Sequence, residues 1–160
     1  MTEAATLTVT APTDREIVMT RAFDAPRNLV FDAWTKPELL KQWLGVRGGW
    51  TFPVCEIDLK VGGRYRFVWR KPGQPDMGMG GVYREIEAPE RLVSTEVFDQ
   101  AWYPGEALNT MVLTDIGGKT VVTLTTRYES KQARDGVLDS GATKGIAESY
   151  DQLDEILPTL

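Results

Sequence analysis

The stretch 131–160, KQARDGVLDSGATKGIAESYDQLDEILPTL, decides the fold. Apolar or small residues recur through it in steps of three and four, as Leu138, Ala142, Gly145, Ile146, Ser149, Tyr150, Leu153, Ile156 and Leu157. That spacing marks one face of a helix and predicts a single long helix over the whole stretch. The face is uneven: Gly141, Ala142 and Gly145 are small, whereas Tyr150, Leu153, Ile156 and Leu157 are bulky. The bulky half can fill a core, and the small half leaves space beside it.

Upstream of this helix the chain reads mostly as strands. The clearest case is 64–70, where Tyr65, Phe67 and Trp69 alternate with Arg64, Arg66 and Arg70, a period of two that turns one side of a strand toward a core. Residues 53–59 precede it across a turn at 61–63, and both fit a hairpin. Strands are expected at 81–87 and 92–98 around Pro89, and at 107–115 and 120–128 around Gly117 and Gly118. Residues 15–23 form the first strand. Residues 1–14, rich in Ala and Thr, are expected to be a flexible tail ahead of one domain spanning 15–160.

Two short helices follow the first strand. Asp24 is expected to cap the first, with Leu29, Val30, Ala33 and Trp34 on its buried side. Pro37 starts the second, with Leu39, Leu40, Trp43 and Leu44 as its apolar face. The fold class is therefore α+β: a curved antiparallel sheet of about six or seven strands, with two short helices after the first strand, wrapped on the long C-terminal helix.

Composition narrows the function. The chain has 160 residues, a net charge of −5 and a pI near 4.8. Its densest basic group, Arg64, Arg66, Arg70 and Lys71, is too small a cluster for a nucleic-acid surface, and none is expected. Cys55 is the only cysteine and there is no histidine, so no metal site, no cofactor and no histidine-based catalysis are expected. No run approaches the roughly 20 apolar residues of a membrane span, and no secretory signal is evident, so the expected location is the cytoplasm.

Several stretches then bear a family resemblance in their order and spacing. They are Phe23-Asp24-Ala25-Pro26, Trp34-Thr35-Lys36-Pro37-Glu38 with Trp43, and the segment from Glu56 to Tyr65. The segment from Gly80 to Ile86, Pro89-Glu90-Arg91-Leu92, and the segment from Gly145 to Leu153 continue the series. Together they resemble the START-like or Bet v 1-like helix-grip superfamily (SRPBCC), and within it the Hsp90 ATPase activator homologue branch. The resemblance covers nearly the whole chain and departs at Ile146, where related sequences usually carry Trp.

The resemblance implies an apolar cavity between sheet and terminal helix. Members bind lipids, hormones or polyketides, and a minority catalyse cyclisation or hydrolysis. Binding of a hydrophobic or aromatic small molecule is the leading expectation. The lining is expected from Trp34, Trp43, Phe67, Trp69 and Met79, from Trp102 in a polar loop, and from Met111, Gly145, Ser149 and Tyr150. Ser149 or Tyr150 would orient a polar end of the ligand. In an enzyme of cyclase or hydrolase type, Glu85 or Glu96 would be general acid or base, because a carboxylate on an apolar strand face can transfer protons, and Tyr83 or Arg66 would assist. The branch name implies a chaperone partner as a third expectation, and the open edges of an antiparallel sheet imply a homodimer as a further one.

Overall fold

The computed structural model describes residues 6–160; the first five residues of the expected tail lie outside the described residues. Eight strands form one antiparallel sheet in the order β1-β2-β8-β7-β6-β5-β4-β3. They are β1 (Thr8–Thr10), β2 (Glu16–Phe23), β3 (Thr51–Ile57), β4 (Arg64–Arg70), β5 (Met77–Glu87), β6 (Arg91–Phe98), β7 (Ala107–Ile116) and β8 (Lys119–Arg127). Two helices, α1 (Arg27–Thr35) and α2 (Pro37–Leu40), carry the chain from β2 to the far edge at β3. From there hairpins lead back strand by strand until β8 lies beside β2. This is the helix-grip arrangement.

The strand beyond the expected seven is β1, which pairs with β2 from within the stretch read as a tail. Asp24 does not cap α1. The helix starts at Arg27 with Pro26 at its N-cap, and the Pro26 carbonyl accepts from the amides of Leu29 and Val30, both at 3.1 Å. A helix that starts so late leaves the Asp24 side chain out of reach of its first turn.

β5 begins at Met77, four residues ahead of the strand expected at 81–87. Its glycines let strands press together. A Cβ on Gly78 would collide with the Asp99 carboxylate, and one on Gly81 would collide with the Thr95 carbonyl. Without a Cβ at these points the neighbouring chain can approach this closely while β5 stays paired on both sides.

The terminal stretch is two helices rather than one: α3 (Lys131–Asp139) and α4 (Ala142–Ile156), followed by a 3-10 turn at Leu157–Thr159. Ser130 caps α3 by accepting from the Ala133 amide at 3.1 Å. The break comes at Ser140 and Gly141, where Gly141 has φ +82°, a left-handed conformation that ends a helix and that glycine adopts without a Cβ clash.

The main core joins α1, α2 and α4 to the sheet. Phe23, Trp34, Trp43 and Tyr150 meet edge to face, with Trp34 and Trp43 centroids 4.6 Å apart and Phe23 5.7 Å from Tyr150. A second cluster packs α3, through Ala133 and Val137, against Ile17, Met19, Tyr103 and Tyr128. Among the described residues no helix is long and apolar enough to cross a membrane.

Candidate ligand cavity and its polar pole

Between the sheet and the terminal helices lies a cavity of about 920 Å³. Alternation along each strand decides what faces it. β4 contributes Tyr65, Phe67 and Trp69, β5 contributes Met77, Met79 and Tyr83, and β6 contributes Leu92, Ser94, Glu96 and Phe98. From β7 come Asn109 and Met111, and from β8 Leu124 and Thr126. Tyr150 and Ile146 of α4 and Trp34 of α1 close it on the helical side. The mouth is framed by exposed residues: Gln74 to Asp76, Gln100 to Trp102, and Ser140 and Gly141 at the break between α3 and α4.

Of the expected lining residues, Trp34, Phe67, Trp69, Met79, Met111 and Tyr150 face the cavity, and Trp102 stands 43% exposed at its mouth, edge-on to Phe98. Three do not line it. Trp43 is fully buried behind Trp34 and donates from its indole nitrogen to the Ala33 carbonyl at 3.1 Å, so it is a core residue. Ser149 points toward the loop after α2, where its hydroxyl accepts from the Gly45 amide at 3.0 Å. Gly145 lies on the outer side of α4, and a Cβ there would meet nothing within 4 Å. The residues of α4 that do line the cavity are Ala142, Ile146 and Tyr150, four apart on one face.

The four acid and base candidates divide. Tyr83 and Glu96 face the cavity, whereas Glu85 and Arg66 do not. Glu85 shares parity with Tyr83 in the sequence, but the ladder slips between them: Tyr83 pairs with Ser94 and Glu85 with Val93. Arg84 is the extra residue of that bulge, and beyond it the strand faces exchange. Ile86 turns to the core and Glu85 turns to solvent, 3.5 Å from Arg91. Arg66 stands on the outer face of β4 in a two-pronged ion pair with Asp99, one prong at 2.6 Å. That pair holds the Asp99 carboxyl below the usual carboxylate range through its hydrogen bond.

Glu96 is the centre of a polar pole that the sequence reading did not assemble. Its carboxylate accepts from the Tyr103 hydroxyl at 2.7 Å and from the Asn109 amide at 3.1 Å. Asn109 in turn accepts, through its carbonyl, from the Thr126 hydroxyl at 2.7 Å. The phenols around this pole are held neutral. Burial pushes Tyr103, Tyr128 and Tyr65 well above the ordinary value, and in each the negative charge of Glu96 adds to the effect. Asn109 and Thr126 could have been found from their parity with Met111 and Leu124; Tyr103, in a loop, had no periodic signal. Cys55 lies outside the cavity, and burial pushes its thiol up to about 11, which makes it a poor nucleophile at neutral pH.

Comparison with known proteins now places the chain. The profile of the family described as Activator of Hsp90 ATPase homolog 1-like protein matches residues 24–158. A solved protein from Rhodobacter sphaeroides is 30% identical, with 97% of this chain and 99% of that chain covered and a TM-score of 0.91. One from Staphylococcus epidermidis is 26% identical over 95% and 94% of the two chains, with a TM-score of 0.81. One from Mycobacterium smegmatis, at 23% identity over 94% and 96%, shares the fold with a TM-score of 0.82. A search among curated proteins finds no match.

Proposed function

The chain belongs to the family of Activator of Hsp90 ATPase homolog 1-like proteins, and from that premise we propose that it binds an apolar or aromatic small molecule between its sheet and terminal helices, without covalent chemistry. One observation carries this reading: the cavity of about 920 Å³ is walled by aromatic and Met side chains and holds a small, braced polar group at one place. Pockets built for small ligands have that composition, a broad apolar wall with few fixed polar contacts. The volume is within the range of such pockets, about 300–1,000 Å³.

Acid and base chemistry in the same cavity is the alternative that Glu96 and Tyr83 favour. It has lost Glu85 and Arg66, which face outward, and burial keeps Tyr83 protonated well above neutral pH. Glu96, Tyr83 and solvent are what it retains.

Native mass spectrometry of the purified protein, followed by titration with neutral polycyclic probes and calorimetry, tests the binding reading. Retained ligand or saturable one-to-one probe binding is expected. Absence of both sinks it. Turnover abolished by Glu96→Gln with probe binding intact would move the assignment to the enzymatic alternative.

A further inference from the structure

We infer that Glu96 makes the cavity selective for ligands with a protonated amine or similar cationic donor head, and that it disfavours carboxylate-headed molecules such as fatty acids; this rests on the binding reading above. The argument starts from what the carboxylate already has. It offers about four lone-pair sites. Tyr103 and Asn109 occupy one on each oxygen. Acceptor capacity is left over on a side chain that faces the cavity.

The brace also fixes which way the pole reads. Asn109 must turn its amide nitrogen to Glu96 and its carbonyl to Thr126, because a carboxylate only accepts and the Thr126 hydroxyl then has an acceptor to serve. Tyr103 is spent as a donor to Glu96 as well. The neighbouring donors are thus consumed in orienting the carboxylate.

What is missing beside it is a positive charge. Every ion pair among the described residues lies elsewhere, and none includes Glu96. A half-buried carboxylate braced by two neutral donors, with no cationic side chain paired to it among the described residues, favours a cationic donor placed beside it. Tyr128 also lines the cavity and keeps its proton, so it can serve a ligand of either polarity. It cannot cancel the negative charge, and a second carboxylate placed against Glu96 meets like-charge repulsion.

The test uses three probes with one body and different heads: 1-pyrenemethylamine, 1-pyrenemethanol and 1-pyrenecarboxylate, read by calorimetry and pyrene fluorescence on the full chain. The amine is expected to bind about tenfold to a hundredfold more tightly than the carboxylate, the span of one charge-assisted hydrogen bond. Glu96→Gln, with its fold checked by circular dichroism, is expected to erase that gap. If the alcohol binds and the amine is no tighter than the carboxylate, the inference is overturned while the binding reading stands. An amine preference that persists in Glu96→Gln overturns it too. If none of the three binds, the binding reading fails and the inference with it. If the variant does not fold, Asn109→Leu, which removes one brace of the carboxylate, is expected to narrow the gap in its place, and an unchanged gap there overturns the inference.

Discussion

Arg21 of β2 and Asp151 of α4 stand 3.1 Å apart, and the arginine side chain is only 3% exposed. Arg21 also donates to the Ala22 carbonyl, stacks its guanidinium 4.7 Å from the Phe23 ring and reaches Asp154 at 3.8 Å, while its Nε has no partner among the described residues. A buried cation this thinly served depends on its two carboxylates. Replacing both, Asp151→Asn with Asp154→Asn, is expected to lower stability by about 1–2 kcal/mol, a charged hydrogen bond discounted because the carboxylates are exposed. Urea unfolding measures it, and a change within 0.5 kcal/mol, the range of about any neutral surface substitution, contradicts it.

Ser149 holds the other side of α4 by accepting from the Gly45 amide. Ser149→Ala leaves that amide without an acceptor, and about 1 kcal/mol of stability should be lost. Probe affinity should not change, since Ser149 does not line the cavity. A lowered affinity with unchanged stability would reassign Ser149 to the ligand.

Positions 145 and 146 are expected to behave oppositely. Gly145→Leu adds bulk where nothing lies within 4 Å and removes a glycine from a helix interior, so binding stays the same and stability rises by about 0.5–1 kcal/mol. Ile146→Trp pushes a large ring into the cavity wall, and probe affinity should fall at least about tenfold with the fold retained. Calorimetry on both variants separates the faces of α4; weaker binding in Gly145→Leu would place the cavity on the wrong side of the helix.

All five tyrosines, Tyr65, Tyr83, Tyr103, Tyr128 and Tyr150, have phenols raised above their ordinary value of 10.0, in each case chiefly by burial. The folded chain therefore keeps protons that the unfolded chain releases as pH climbs through about 10. Stability is fully present below that pH and falls steeply above it. Phenolate absorbance near 295 nm should appear in one cooperative step together with the loss of far-ultraviolet circular dichroism. A gradual titration centred near pH 10 in a chain still folded contradicts the burial of these rings.

The strand faces were legible wherever the alternation ran unbroken. Tyr65, Phe67 and Trp69 on β4, and Leu92, Ser94, Glu96 and Phe98 on β6, turn inward as a period of two requires. Glu85 was misread because the bulge at Arg84 inserts one residue without a glycine to announce it. Gly145 was misread for another reason: smallness says that space exists and not on which side of the helix it lies. The break at Gly141 was hidden because the apolar stripe resumes in phase after it, although a glycine at a helix end is a stop signal in its own right. The polar pole was the least visible, since Glu96, Tyr103, Asn109 and Thr126 meet only when β6, β7 and β8 and the loop after β6 are brought together.

The fastenings of α4 are unevenly placed along it. Ser149, Asp151, Gln152, Asp154 and Glu155 are all tied to Arg21 or to the loop carrying Gly45 and Arg47, and all lie beyond Ile146. The end that borders the mouth, from Ser140 to Ala142, has only local hydrogen bonds. Thermal robustness and the shape of the cavity mouth are thereby assigned to different lengths of the same helix. Under the proposed binding function, substitutions at the mouth are expected to change how fast a probe enters and leaves while the melting temperature stays where the distant fastenings set it.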